Sequence, residues 1–156
     1  MSFKVVLYQP EIPANTGNIG RLCVGSGAEL HIIKPMRFIL SDKQLKRAGL
    51  DYWDKLKLVM HDSLEDFLAT YPDINVYYCT TKTTKRYTDV DYKPGDAFIF
   101  GPESRGIPED ILARHKEMNI TIPMSADIRS INLANSVGIV LYEAWRRVGF
   151  PGSVNE

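Results

Sequence analysis

Short apolar runs rich in β-branched residues alternate along this chain with segments that carry helix signals. The apolar runs predict buried strands, and the segments between them predict helices. The predicted strands cover residues 3–8, 30–33, 56–60, 74–79, 97–100 and 118–122, and the predicted helices cover residues 16–26, 41–48, 63–70 and 131–148. Strands that alternate with helices predict an α/β fold, namely a mostly parallel sheet with helices on both faces.

Helix boundaries are predicted from polar residues and prolines. Asn15 or Thr16 is expected to cap the first helix, and Ser63 is expected to cap the helix that Pro72 stops. Pro108 is expected to open a further short helix, because proline suits the first helical position.

Length favours one domain over residues 1–156. Its 19 basic residues balance 19 acidic residues, so the net charge gives no sign of a nucleic-acid partner. Basic residues concentrate in segments 34–57 and 82–86, which are either solvated faces or contacts for an acidic partner. The chain shows no secretory signal, no apolar run of membrane-spanning length and no Cys/His metal spacing. We therefore expect a cytoplasmic protein with no membrane contact and no metal.

Three polar loops, at residues 13–21, 101–106 and 129–137, each follow a strand-like run. Any one of them could be a plain turn or a helix cap. Open α/β sheets bind ligands beyond the carboxyl ends of their strands, so three such loops favour one composite site. Arg21, beside the first loop, is suited to hold a phosphate group.

Several common catalytic motifs are missing from the sequence. Residues 25–27 resemble part of a dinucleotide fingerprint, but they follow a helix and lack the third glycine. Residues 101–106 have the glycine spacing of a phosphate loop, but Ile107 stands where that loop needs lysine. Spacing suggests no partner for the three histidines, which we interpret as structural or solvated: His31, His61 and His115.

The three loops belong to motifs that resemble a known family. The first reads Pro-Glu-Ile-Pro-x-Asn-Thr-Gly-Asn-Ile-x-Arg over residues 10–21, and the second reads Phe-Gly-Pro-Glu-Ser-Arg-Gly over residues 100–106. The third runs from Ile122 to Ser136 and contains Arg-Ser-x-Asn-Leu-Ala-Asn-Ser. In this order they resemble the SPOUT superfamily of RNA methyltransferases, and specifically its small single-domain tRNA 2′-O-methyltransferases, over essentially the whole chain.

The resemblance implies a C-terminal trefoil knot that binds S-adenosylmethionine, whereas connection rules alone predict an unknotted sheet. Glycine at position 101 fits this role, because a side chain there would obstruct the ligand. The residues implied to bind the methyl donor are Cys79, Thr80, Gly101, Ile122, Met124, Ser130, Ile131 and Leu133.

The implied reaction is attack on the donor's methyl carbon by a ribose 2′-hydroxyl, which the enzyme must orient and polarise. The family gives the activating role to the arginine that corresponds to Arg21. Because a guanidinium scarcely accepts a proton, we interpret Arg21 as a clamp on the hydroxyl and the adjacent phosphate, which is then a candidate proton acceptor. Asn15, Glu103, Ser130 and Asn132 are implied to complete the catalytic site.

The subfamily resemblance also implies the substrate, which is the ribose of the wobble nucleotide, cytidine or uridine, in the tRNA anticodon loop. The chain has no room for a separate RNA-binding domain, so its basic segments are expected to contact phosphates. The candidate RNA contacts are Arg21, Lys43, Lys46, Arg47 and Tyr142. Packing on a helix is an equally good interpretation of Tyr142.

A homodimer is predicted from the last helix. Its apolar residues span an arc of roughly 200°, whereas covering one core needs about 100°. The excess is expected to face a symmetric partner chain that helps to complete each site, unless the domain's own knot or loops bury it. Two other functions stay open: an RNA-binding module of this fold without catalysis, and a nucleotide-binding protein or oxidoreductase.

Overall fold

The computed structural model, which describes residues 1–41, 43, 45, 47 and 52–155, contains one sheet of six parallel strands. The strands are β1 (Lys4–Tyr8), β2 (Glu29–Ile33), β3 (Leu58–His61), β4 (Val76–Cys79), β5 (Ala97–Phe100) and β6 (Asn119–Ile120). Their order is β3-β2-β1-β5-β4-β6, so β1 pairs with both β2 and β5. The direction of strand order therefore reverses between β1 and β5, where the loops that follow these two strands diverge from the sheet.

Helices cover both faces of the sheet, as predicted. The helices are α1 (Pro13–Ser26), α2 (Leu64–Thr70), α3 (Glu109–Arg114) and α4 (Leu133–Arg147). Helices α1 and α4 pack together against one face, around Phe98, while α2 and α3 cover the other face, around Ile99. Neighbouring residues of β5 thus enter different cores, which is why the strand is apolar at every position.

Most predicted elements are present, with shifted ends. Strand β5 has the predicted bounds, and Ser63 caps α2 by accepting a hydrogen bond from the backbone N–H of Asp66 at 3.1 Å. The last strand is shorter than predicted at both ends: a 3-10 turn, Lys116–Met118, precedes it, and it ends at Ile120 instead of residue 122. Pro108 is the N-cap of α3 instead of its first residue. Part of the predicted helix 41–48 lies outside the described residues, and positions 43, 45 and 47 are helical.

The predicted start of α1 is wrong. Helix α1 begins at Pro13, and its N-cap residue, Ile12, offers no side-chain hydrogen bond. Asn15 and Thr16 therefore lie inside the first turn, and both are buried. This shift frees the side chain of Asn15 for contacts with other loops.

Two of the histidines form a buried pair across neighbouring strands. His31 Nδ1 lies 2.8 Å from His61 Nε2, and His31 Nε2 lies 2.9 Å from a carboxylate oxygen of Glu29. Burial lowers the pKa of His31 to about 4, so the ring is neutral near pH 7. His115 stacks on Tyr78 with ring centroids 4.5 Å apart. These contacts support a structural interpretation of all three histidines.

Within the described part of the chain, no helix is long and apolar enough to cross a membrane. The same residues contain no group of three or more His, Cys, Asp or Glu side chains placed to hold a metal ion.

Candidate active site

A cavity of about 470 Å³ opens beyond the carboxyl ends of β4 and β5, beside the start of α1. Its wall combines the last residues of both strands with the loop 101–106 and the segment from Ile122 to Ser136. The topology explains the position, because the loops after β1 and β5 leave the sheet where the strand order reverses. The three motifs found in the sequence therefore meet at one site.

Every residue proposed to bind the methyl donor lines this cavity. These residues are Cys79, Thr80, Gly101, Ile122, Met124, Ser130, Ile131 and Leu133. No hydrogen bond joins the backbone of Ile122 or Met124 to another described residue, so their peptide groups are open to a ligand. Burial raises the pKa of the Cys79 thiol, which leaves it neutral and unsuited to act as a nucleophile.

A ladder of side-chain hydrogen bonds joins the three motifs at the cavity wall. Asn132 Nδ2 donates to Asn15 Oδ1 at 3.1 Å, and Asn15 Nδ2 donates to Glu103 Oε2 at 3.3 Å. Asn132 also caps α4 by accepting a hydrogen bond from the N–H of Asn135 at 3.1 Å. Asn132 therefore caps a helix and also lines the cavity, and its catalytic role stays a prediction.

Glu103 supplies the cap that α1 lacks locally. Its two carboxylate oxygens accept hydrogen bonds from the backbone N–H groups of Glu11 at 2.9 Å and Ile12 at 2.8 Å. A carboxylate at a helix N-terminus is also favoured by the helix dipole. Glu103 thus anchors the loop 101–106 to the first motif, a role that local sequence patterns did not predict.

Gly101 is required for a different reason from the one predicted. A Cβ atom at this position would lie 2.2 Å from both the carbonyl carbon of Gly106 and the backbone nitrogen of Ile107. The collision is with the protein's own backbone, so the sequence-based explanation, obstruction of a ligand, is incomplete. The close approach folds the loop back on itself and shapes one wall of the cavity.

Arg21 is the predicted catalytic residue that does not line the cavity of its own chain. It lies on α1 six residues after Asn15, which places it about 120° around the helix axis. Its side chain is exposed, and the guanidinium carbon lies 4.9 Å from the ring centroid of Tyr52. One chain therefore brings together Asn15, Glu103, Ser130 and Asn132, but not Arg21.

Two basic side chains stand at the cavity wall, and one of them was not predicted as a site residue. Lys82, from the predicted basic segment 82–86, pairs with Glu109 at 2.7 Å. Arg105 was missed, although it lies within the second motif, and it donates to Gln9 at 3.0 Å.

The predicted RNA contacts that the structure describes do not line the cavity. Lys43, Arg47 and Tyr142 are exposed, whereas Lys46 lies outside the described residues. Tyr142 also packs edge-on against Trp145, with ring centroids 5.3 Å apart. Both interpretations of Tyr142 therefore stay open.

Comparison with known proteins identifies the class that this fold and site define. Residues 2–142 match the model of the SpoU rRNA Methylase family, and the chain belongs to that family.

Its relatives are similar along their full length. The chain is 50% identical over 151 residues to the tRNA (cytidine(34)-2′-O)-methyltransferase of Escherichia coli (strain K12), covering 96% of each protein. It is 47% identical over 153 residues to the protein of the same name from Methylovorus glucosotrophus (strain SIP3-4), covering 97% of this chain and 99% of that one. A structure solved to study the 2-OH methylation of C/U34 on tRNA superposes with a TM-score of 0.90 at 43% identity, covering 94% of this chain and 96% of that one.

Proposed function

We propose that this protein transfers the methyl group of S-adenosylmethionine to the ribose 2′-hydroxyl of nucleotide 34, cytidine or uridine, in tRNA. The observation that carries the proposal is the cavity in which all three family motifs meet and are joined by the Asn132–Asn15–Glu103 ladder. Relatives named for this activity cover nearly the whole chain.

The cavity fits the methyl donor in size and chemistry. Its volume, about 470 Å³, lies within the usual range for small-molecule sites, and its lining is partly apolar and partly backbone. The open peptide groups of Ile122 and Met124 can hydrogen-bond an adenine edge. When bound, the donor supplies an electrophilic methyl group on a positively charged sulfur.

The protein's own residues position the acceptor. Asn15 and Asn132 are held rigidly by their mutual hydrogen bond and can orient the ribose hydroxyl at the cavity mouth. Glu103 already accepts three hydrogen bonds, so we assign it the role of orienting Asn15 and the loop. Arg21 stabilises the charge that develops on the hydroxyl oxygen and binds the adjacent phosphate, which takes the proton.

The tRNA is proposed to bind across the exposed basic residues. Lys43 and Arg47 are exposed in segment 34–57, and Lys82 and Arg105 stand at the cavity wall. Lysine and arginine contacts to phosphate position RNA without reading its sequence, and an exposed loop base can be splayed out for reaction.

The test is to incubate the protein with undermodified tRNA and S-adenosylmethionine labelled in its methyl group, and then to map the label. We expect one 2′-O-methyl group at nucleotide 34. A methyl group in the D-loop or in ribosomal RNA would reject the substrate but keep the methyltransferase assignment. RNA binding without transfer would support the alternative of a binding module.

We also propose a homodimer in which each site is completed by both chains. Helix α4 buries Val137, Val140 and Leu141 in its own domain, but it leaves Ile139 and Tyr142 each 37% exposed. In such a shared site, the partner chain supplies Arg21. The exposed position of Arg21, outside the cavity of its own chain, supports this arrangement. Twofold association is the most common solution for an uncovered apolar face.

Sedimentation velocity should give a dimer for the wild-type protein at assay concentrations. Ile139→Lys places a charge in the exposed apolar pair and is expected to shift the protein towards monomer with loss of turnover. Val154→Lys adds the same charge at a residue that is 98% exposed and serves as the control. A monomer with full activity would contradict the dimer.

A further inference from the structure

Two glutamates, one in the first motif and one in the second, each accept hydrogen bonds from backbone N–H groups of the other motif. Glu103 accepts hydrogen bonds from the N–H of Glu11 at 2.9 Å and of Ile12 at 2.8 Å. In return, Glu11 Oε1 accepts a hydrogen bond from the N–H of Ser104 at 2.9 Å. We call this reciprocal set of three hydrogen bonds, formed by Glu11, Ile12, Glu103 and Ser104, the carboxylate clasp.

The second oxygen of Glu11 faces another segment. Glu11 Oε2 lies 3.6 Å from Nε of Arg37, whose backbone N–H donates to the carbonyl oxygen of Pro10 at 3.2 Å. The side chain of Glu11 is 15% exposed, whereas that of Arg37 is 71% exposed. Hydrogen bonds from the Ser104 hydroxyl and N–H, with Arg37 and Arg105 nearby, lower the pKa of Glu11 and keep it ionised.

A substitution at position 11 can remove only some of the hydrogen bonds of the clasp. The backbone N–H groups of Glu11 and Ile12 persist in any non-proline variant, so Glu103 keeps its contacts whatever stands at position 11. Among the described residues, only the side chain of Glu11 accepts a hydrogen bond from the N–H of Ser104. Ser104 belongs to the loop 101–106, which forms one wall of the cavity.

We propose that Glu11 is a positioning residue for the methyl donor: its carboxylate holds the loop 101–106 in the shape that forms the cavity wall, through the N–H of Ser104. The inference rests on the proposed placement of S-adenosylmethionine in this cavity. Glu11 touches neither the donor nor the reacting atoms, because it is absent from the cavity lining. For this role, the position of the Glu11 carboxylate oxygen within hydrogen-bonding distance of the Ser104 N–H matters more than the negative charge of the carboxylate.

Two conservative substitutions at position 11 separate the effect of the oxygen's position from the effect of its charge. Glu11→Gln keeps an acceptor oxygen at the same distance but removes the charge, whereas Glu11→Asp keeps the charge but withdraws the oxygens by one methylene. We expect Glu11→Asp and Glu11→Ala to raise the donor Kd roughly tenfold, and Glu11→Gln to stay within about threefold of wild type. The KM for the donor should rise in the same order, while kcat at saturating donor changes little.

The measurement is calorimetric titration of each folded variant with S-adenosylmethionine, together with thermal unfolding. Asp91→Ala is the matched control, because it breaks another exposed ion pair, Asp91–Lys93 at 2.9 Å, away from the cavity. Arg37→Ala should leave the donor Kd unchanged, since it spares the bond from Glu11 to Ser104.

Three outcomes would overturn the inference. One is a donor Kd that is the same in all variants at position 11. A second is the reverse order, with Asp like wild type and Gln weakened, which would indicate an electrostatic role. The third is an Arg37→Ala variant whose donor Kd rises as much as that of Glu11→Ala. If the wild-type protein itself binds no donor, both the proposed function and this inference fail. If the wild-type protein binds the donor and every variant at position 11 has the same donor Kd, the inference alone is rejected.

Discussion

Arg21→Ala is expected to lower the rate of methyl transfer by about two to three orders of magnitude while the donor Kd stays at the wild-type value. The loss in rate follows from removing a cation that stabilises developing charge on the hydroxyl oxygen. The donor affinity should survive, because the proposed role of Arg21 is to contact the ribose hydroxyl and the phosphate of the RNA, and not the donor. Single-turnover transfer to tRNA measures the first quantity, and calorimetry with S-adenosylmethionine measures the second.

Two further variants make this prediction specific. Arg21→Lys keeps the charge but loses the planar, two-pronged donor, so it should recover only part of the rate. Arg114→Ala removes another exposed arginine, which is paired with Asp110 at 3.3 Å on the far helix α3, and should behave as wild type. Loss of donor affinity in Arg21→Ala, or nearly normal turnover, would count against the assigned role.

Gly101→Ala should raise the donor Kd by roughly tenfold to a hundredfold. The new methyl group would lie 2.2 Å from the backbone of Gly106 and Ile107, and backbone atoms cannot rotate out of the way as a flexible side chain can. The loop must therefore move, and the cavity wall moves with it. Calorimetry with S-adenosylmethionine measures the affinity, and thermal unfolding confirms that the variant is folded.

The matched control for this substitution is Gly138→Ala. A Cβ atom at Gly138 would lie 3.6 Å from Leu22, an ordinary van der Waals distance, and Gly138 is not part of the cavity. We expect this variant to bind the donor normally. Wild-type affinity in a folded Gly101→Ala protein would show that the loop can adjust without changing the cavity.

The sequence predicted those elements whose signals are local. Strand β5 is an uninterrupted apolar run, and Ser63 caps the helix that begins at the next residue, so both were placed correctly. The start of α1 was misplaced because its cap comes from Glu103, more than ninety positions along the chain. The partnership of His31 and His61 was missed for a related reason, since it depends on the pairing of β2 with β3.

The sequence placed residues of the family motifs beside one cavity, whereas it did not predict the position of a side chain that projects from a helix. The binding and catalytic roles of these residues stay predictions. All eight proposed donor residues line one cavity, because they lie at strand ends, in loops or at the start of α4, and these positions follow from the topology. Arg21 projects from an exposed face of α1, and its predicted catalytic role stays a prediction that rests on the proposed dimer. The trefoil knot stays a prediction from family resemblance.

The hydrogen-bonded ladder has a consequence for how the protein is made. Its two bonds join residues 88 and 117 positions apart, and its last member, Asn132, leaves the ribosome after most of the chain has been synthesised. Because β1 also pairs with β5, the centre of the sheet cannot close until residue 100 has emerged. A nascent or prematurely terminated chain that ends before Asn132 therefore lacks one member of the ladder and has no complete site.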